Sequence, residues 1–290
     1  NILSIERADD YFNWIEVGMC LHNISKNLLE DWIEFSKRSE KFESEEFCKS
    51  KWNTFKNSKD GLTFGSLYHW ARNDNPEEFN KIINDSIRIF IMKNVVGEGT
   101  HWDIAKVVYH MFKDKFVCSS IAKDEWWVYE NHLWKYNEKG TSLRKSLSME
   151  VLDEFCKIMI FYQRKIIETE DVEEKTKFES RAKTIFNIQQ KLKNTSFKNC
   201  VMKECAEQFY VEKFQDKLDS NFKFLGFNNG VYDLKNNVFR DGRPSDYISF
   251  TTNIDYIEYD YDNENIIGVN KFIEKIFPKD SIRKYFLKFL

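Results

Sequence analysis

The chain has 290 residues, a net charge of −3 from 44 basic and 47 acidic side chains, and 16% aromatic residues, 26 of them Phe. That length holds two ordinary domains or one elongated helical body with an insertion. The near-neutral balance excludes a uniformly basic nucleic-acid-binding protein and leaves any DNA contact to local patches. Six scattered cysteines (Cys20, Cys48, Cys118, Cys156, Cys200 and Cys205) form no C-x-x-C pair, and the five histidines add no metal-ligand spacing. Buried free thiols in a reducing compartment are the expectation. No apolar run approaches the ~20 residues of a membrane span, and the expectation is a protein without a signal peptide. An intracellular, soluble protein with no membrane partner is therefore expected.

The first hundred residues read as helices. Asp9 or Asp10, Ser25 and Ser44 are placed to cap helices that carry Tyr11/Trp14/Ile15/Met19, Leu28/Leu29/Trp32/Phe35 and Phe47/Cys48/Trp52/Phe55. Asn57 to Gly61 reads as a loop before a short helix with Leu67 and Trp70. Asn75-Pro76-Glu-Glu opens a long helix, with a capping Asn, Pro at the first helical position and acids on the first turn. Core packing is the expected role of these aromatics. Lys37, Arg38 and Lys41 form the best basic cluster here, a candidate DNA contact or a solvated face. The blocks W-I-E-V-G-M-C-L-H-N, D-W-I-E-F-S-K-R-S-E-K-F, C-x-x-x-W and G-L-T-F-G-S-L-Y-H-W-A-R-x-D-N-P-E follow in order over about residues 11 to 78. In that order they resemble the second type of primase C-terminal domain.

Val95 to Gly99 reads as a hinge, and Thr100 with Asp103 caps a helix bearing Ile104, Val107, Val108, Met111 and Phe112. FVCSS, DEWWVYE and HLWKYNE then read as two or three short strands turned at Asn131-His132. Alternation places Trp126 and Val128 on one face, with Trp127 and Tyr129 on the other. One aromatic face is expected to pack on helices. The other makes Trp126, Trp127 and Trp134 candidates for stacking nucleic-acid bases, with core packing the competing role.

Helices return from Ser148, with a sharp charge asymmetry. Glu168 to Glu174 holds five acids in seven residues and reads as an exposed loop. Thr176 to Lys203 holds seven Lys/Arg against one Glu, a local charge of +6. Phe178, Ala182, Ile185, Ile188 and Leu192 form the expected buried stripe of that helix. Arg181, Lys183, Lys191 and Lys193 are expected off the stripe, and Lys198 and Lys203 continue the basic run. This is the most concentrated basic surface in the sequence and the leading candidate for phosphate contact, which needs no base-reading residues. A solvated helix answering the acidic segment is the alternative.

From Phe222 to Tyr256 the periodicity switches to strands, with turns at Asn-Asn-Gly, Lys-Asn-Asn and Asp-Gly-Arg-Pro. The expected fold class is thus mainly α (α+β): helical modules, a small antiparallel β unit near 222–256 and a β-hairpin near 115–136. Asp280 or Ser281 starts a last helix whose apolar stripe holds Ile282, Tyr285, Phe286, Phe289 and Leu290 and which meets no stop signal. With Asn at position 1, this leads to the expectation of a piece of a longer protein. Tyr285, Phe286, Phe289 and Leu290 are the candidate oligomerisation residues.

The F-x-N-G-x-x-D-L core, aspartate-rich turn and T-x-N-I-D-Y ending resemble the linker region before the helicase module in primase–helicases of large DNA viruses, phages and plasmids, the poxvirus-type replicative helicases among them. With the primase-type module, the resemblance implies a primase C-terminal-like domain over 1–97, a linker or collar domain over 98–262, and over 263–290 the start of a helical connection to a superfamily III ATPase. It implies a hexameric ring, with DNA, the ATPase domain and neighbouring subunits as partners. ATP and Mg²⁺ are implied for the whole protein, and no cofactor for these residues. No G-x-x-x-x-G-K-[ST], G-x-S-x-G, H-E-x-x-H or acidic metal triad occurs, so no catalytic or metal-ligating residue is singled out. The carboxylates at Asp255, Glu258, Asp260, Asp262 and Glu264 read as a solvated turn. Two roles stay open: DNA binding and assembly, or a purely structural connector without DNA contact.

Overall fold

The computed structural model describes residues 2–56, 62–94, 99–260 and 262–288. In chain order these form α1 (Glu6–Asp9), α2 (Tyr11–Ile24), α3 (Leu29–Ser36), α4 (Glu45–Thr54), α5 (Phe64–Asp74), α6 (Pro76–Asn94) and α7 (His101–Phe112). Strands β1 (Phe116–Ser120), β2 (Glu125–Glu130) and β3 (Leu133–Glu138) follow, then α8 (Thr141–Ser146), α9 (Leu152–Glu168), α10 (Val172–Lys193), α11 (Thr195–Gln208) and α12 (Phe214–Lys217). The last elements are β4 (Phe224–Phe227), β5 (Gly230–Asp233), β6 (Val238–Arg240), α13 (Glu264–Ile276) and α14 (Asp280–Leu287). The protein is mainly α with two small three-stranded antiparallel sheets, as the periodicity predicts. The expected loop at 57–61, most of the expected hinge at 95–99, and Phe289 and Leu290 lie outside the described residues. Among the described residues no helix is long and apolar enough to cross a membrane.

The fold divides into two compact units, residues 1–111 with 147–201 and residues 112–146 with 202–290. In the first, the expected caps form. Asp10, Ser44 and Asn75 side chains accept from the backbone N–H groups of Asn13, Phe47 and Glu78. Thr100 and Asp103 hold each other's backbone N–H reciprocally. Trp14 and Trp32 stack at 4.7 Å in the core of α2–α5. Their polar edges are satisfied: Trp14 Nε1 donates to Ser36 Oγ at 2.7 Å, and Ser36 Oγ donates to the Trp32 carbonyl. Gly18 is required by this packing, because a Cβ there would meet the Trp32 ring at 2.6 Å.

The same core is closed by a mostly buried ion pair. Arg7 Nε and Nη2 grip the Asp74 carboxylate at 2.6 and 2.9 Å, and the Ser4 N–H donates to it at 2.9 Å. Burial alone would raise the Asp74 pKa; the Arg7 and Ser4 hydrogen bonds outweigh it and hold the carboxyl below its usual range. This gives the aspartate of the R-x-D-N-P-E block a structural role.

The rest of this unit is built on α9 and α10, a helical hairpin closed by the turn 169–171. Phe155, Ile158, Ile185, Ile188 and Leu192 are buried, and Gln189 Nε2 donates to the Phe155 carbonyl at 3.1 Å. Two expectations are corrected here. The acidic stretch is a loop only at 169–171: α9 runs to Glu168, and the Asp171 carboxylate caps α10 by accepting from the Glu173 and Glu174 N–H groups. Acids stabilise that helix start because they face its positive dipole end. The basic run is also not one helix, since Asn194 ends α10 and places Lys198 and Lys203 on α11.

In the second unit, β1, β2 and β3 form a meander turned at Asn131-His132. Both residues have positive φ, 51° and 66°, as a two-residue hairpin turn of type I′ requires. Phe116, Cys118, Trp126 and Val128 bury one face, beside Phe209. Trp127, Tyr129 and Trp134 pack the other with Phe214 and Tyr247. The second sheet pairs β4–β5–β6, and Asp233 forms its tight turn by accepting from the Lys235 and Asn236 N–H groups. Of the cysteines, Cys156 and Cys200 are exposed, which corrects the expectation that all are buried. Burial pushes the Cys118 thiol up to about 11.

The Arg7–Asp74 pair predicts an acid-sensitive first unit. Asp74 has a depressed folded-state pKa, so its contribution is present above the unfolded value of ~3.9 and is lost as pH falls through the folded value. Asp74→Ala leaves a half-buried guanidinium unpaired and should cost about 1–3 kcal/mol at pH 7, read as a lower urea midpoint. The deficit should shrink toward pH 2. An unchanged midpoint at pH 7 would remove the pair from the stabilising set.

Candidate nucleic-acid interface

The side chains that could meet phosphates are sorted by which face of which helix they occupy. Lys37 and Lys41 are exposed and Arg38 is half-buried, but all three charges are already engaged. Lys37 Nζ pairs with Glu34 at 2.7 Å and Glu45 at 2.9 Å, hydrogen bonds that raise its pKa. Arg38 donates to the Leu3 carbonyl at 2.8 Å, and Lys41 Nζ donates to the Asp9 carbonyl at 2.8 Å. These three charges stitch the module together.

The tryptophans are likewise structural. Trp126 and Trp134 are 0% and 3% exposed, so neither ring offers a face to a base. Trp134 Nε1 donates to the Pro244 carbonyl at 2.8 Å, and Trp126 Nε1 to Asp124 at 2.8 Å. Trp127 is half-buried between Tyr136 and Phe214, with its Nε1 donating to Ser119 Oγ at 3.2 Å.

Helix α10 carries the remaining candidates. Its buried positions Ala182, Ile185, Ile188, Gln189 and Leu192 fix the helix rotation about its axis. At 3.6 residues per turn, Lys183, Phe186, Gln190 and Lys193 then share one outward strip about 80° wide. All four are exposed, Phe186 at 48%. Among the described residues, Lys183 and Lys193 have no ion pair and no hydrogen-bond partner. Arg181 does not belong to that strip. It is half-buried on the packed side, where its charge acts on the buried Tyr162 hydroxyl. The expectation that Arg181 lies with the lysines fails because position 181 precedes the stripe residues Ala182, Ile185 and Ile188 by one, four and seven, and so borders their face.

Beyond Lys193 the surface dips into a shallow cleft of about 510 Å³ lined by His101, Gln190, Lys191, Asn194, Ser196, Phe197 and Cys200. Lys191 Nζ lies 5.9 Å from the Phe197 ring centroid, and His101 packs on the same ring at 4.7 Å. The Asn194 side chain caps α11 by accepting from the Phe197 N–H at 3.1 Å. Lys198 turns to donate to Ser148 Oγ at 2.8 Å, and Lys203 is exposed farther along α11. The basic face of α10 therefore consists of Lys183 and Lys193, with Lys191 at the cleft. Phe186, His101 and Phe197 escaped the sequence reading: Phe186 fits the general apolar pattern of α10, and only the helix rotation shows that it points outward.

The β unit shows no such site; its signature residues hold the backbone. Asn229 accepts from the Tyr256 N–H at 2.8 Å and donates to the Tyr256 carbonyl at 3.0 Å. The Tyr256 ring stacks on Phe239 at 4.3 Å. A Cβ at Gly230 would meet the Arg240 carbonyl oxygen at 2.6 Å. The carboxylate of Asp246 holds Arg240 through two 2.8 Å bonds and accepts from the Arg243 N–H at 2.7 Å.

At the end of the chain, α13 and α14 bury no residue, and Val269, Phe272, Ile276, Ile282, Tyr285 and Leu287 are about half exposed or more. Phe286 differs from its expected stripe partners: it is half-buried on Phe277, ring centroids 4.6 Å apart.

A family described as D5 N terminal like matches residues 105–278, and one described as primase C terminal 2 (PriCT-2) matches residues 1–71. The first covers more than half of the chain, which thus belongs to the D5 N terminal like family. A "Putative helicase" of Acanthamoeba polyphaga mimivirus is 36% identical over 290 residues, covering 100% of this chain and 30% of that protein. A "Putative helicase" of Invertebrate iridescent virus 6 is 26% identical over 338 residues, 99% of this chain and 34% of that protein. A "Putative primase" of African swine fever virus is 24% identical over 269 residues, 81% of this chain and 26% of that protein. The chain spans about a third of the length of the curated relatives it matches.

The corrected face predicts opposite outcomes for two charge reversals. Arg181→Glu should lower the thermal midpoint by several degrees, because it places a carboxylate against the packed side of α10. Lys183→Glu with Lys193→Glu should change stability by no more than about 0.5 kcal/mol per substitution, as for ordinary surface changes, and leave the midpoint nearly unmoved. Circular dichroism melts decide this, and equal effects would contradict the assigned rotation.

Proposed function

We propose that this chain is the linker or collar region of a viral replicative DNA helicase of the primase–helicase type, which binds DNA and supports ring assembly without catalysing a reaction itself. The observation that carries this reading is the family match over residues 105–278, preceded by a primase C-terminal module, in a chain aligned over its full length with a viral protein named as a helicase. ATP and Mg²⁺ are assigned to another part of the longer protein, and the expected assembly is a homo-hexamer.

DNA contact runs, in this reading, through Lys183 and Lys193 with Lys191 at the cleft. Contacts to phosphate release condensed counterions, so log affinity falls with log salt by about 0.7 per contact on single strands. Replacing Lys183 and Lys193 by Glu should flatten that slope by about 1.4. It should also weaken single- and double-stranded DNA alike. Fluorescence anisotropy across a salt series tests this, and unchanged affinity and slope would exclude this face.

Assembly is assigned to α13 and α14. Burying a large apolar side chain contributes on the order of 1.5–3 kcal/mol, so covering Phe272, Ile276, Ile282 and Tyr285 is a substantial driving force. In the full-length protein, Phe272→Glu with Tyr285→Glu should shift sedimentation from hexamer toward monomer. A mutant ring as stable as wild type would assign these helices to an intrachain neighbour instead.

A further inference from the structure

The outward strip of α10 contains an aromatic ring that its packing does not use. Phe186 is 48% exposed, although the helix already buries Ala182, Ile185, Ile188 and Leu192 on its other side. Lys183 stands three residues before it, and Gln190 and Lys193 follow at four and seven. A Phe with about half of its surface in water gives up about half of its transfer free energy, and the exposed part of the ring lies between two unpaired lysines. The same arrangement suits a flexible polyanion with flat apolar groups at regular intervals. Lysines meet successive phosphates, the ring takes the face of a base, and the Gln190 amide has both donor and acceptor groups for a base edge.

We propose that Phe186 is a base-stacking platform, so that this face of α10 binds single-stranded DNA in preference to duplex. The proposal rests on the DNA-binding reading of the basic face and adds the strand discrimination and the residue that provides it. Bases in a duplex are already stacked on each other and present only edges in the grooves. An isolated ring on a convex helix therefore gains from an unpaired base and not from a paired one. The span from Lys183 to Lys193 is ten residues, about 15 Å of helix, which keeps the two cations and the ring within reach of a short stretch of one strand. Sequence preference is not expected, because every base has a π-face.

The test compares binding of oligo-dT and of a mixed-sequence duplex by wild type, Phe186→Ala, Phe186→Leu and Lys183→Glu/Lys193→Glu. The Phe186 variants should fold as wild type does, since the side chain is outside the core, and their circular dichroism melts check this. Removing one base–aromatic stack weakens binding by about 5- to 150-fold. Phe186→Ala and Phe186→Leu should both lose that on oligo-dT while keeping wild-type duplex affinity. The leucine variant separates stacking from plain apolar contact: oligo-dT binding restored by Leu would overturn the stacking role. Wild-type oligo-dT affinity in both variants, or equal losses on single strand and duplex, would overturn the proposal while the lysine variant still reports on the basic face. If the lysine reversal also changes nothing, the DNA reading of this face falls with it. Polyglutamate bound as tightly as oligo-dT, with the same loss in Phe186→Ala, would make the strip a surface for acidic protein.

Discussion

The packing of α10 against α9 determines what this protein can present to a partner. Burial of Ala182, Ile185, Ile188 and Leu192, reinforced by the hydrogen bond from Gln189 to the Phe155 carbonyl, allows one rotation of the helix. A helix has 100° between successive side chains, so fixing four apolar positions fixes the direction of every charge on it. Lys183 and Lys193 turn outward together, while Arg181 is carried to the packed side. The same rotation leaves Phe186 exposed in the middle of the basic strip.

Elsewhere, conspicuous residues serve the backbone. Lys37, Arg38 and Lys41 are held by carboxylates and carbonyls, and a charge so occupied is not offered to a phosphate without breaking those contacts. Trp126, Trp127 and Trp134 pack the two faces of one small meander. A three-stranded sheet needs an apolar face or packing against a helix to be stable, and here the aromatics are drawn inward on both faces. In the second sheet, Asn229 and Tyr256 exchange two hydrogen bonds across 27 residues, locking the connection after β6 onto the first turn. The most recognisable sequence signature thus records a requirement for closing a small sheet.

The two modules of the chain differ in how fully they satisfy their apolar surface. The helices of the first unit are closed by stacked tryptophans and the Arg7–Asp74 pair, whereas α13 and α14 bury none of their apolar residues. Amphipathic helices with an uncovered face are marginal alone, since most helical stability comes from packing that face. The proposed assembly role of α13 and α14 follows from this imbalance.

The fold class, the helix starts and the strand turns were legible from the order of residues. Those depend on local chemistry: Asp10, Ser44 and Asn75 cap because a short polar side chain reaches the first free N–H groups, and Asn131-His132 turns because both residues tolerate positive φ. The same order also carried the family resemblance, through spaced residues such as Gly18, Asp74 and Gly230 whose contacts leave little room for substitution. Which charges and rings are available depends on how the elements pack. Asp171, three residues after α9 ends, converts an acidic stretch into a helix start, and Asn194 splits the basic run in two. Partners distant in sequence decide the rest: Phe214 and Tyr247 cover the Trp127 face, Glu45 takes Lys37, and Tyr162 lies near Arg181. A side chain's availability depends on what is packed beside it, and that neighbour is set by the fold rather than by the adjacent residues.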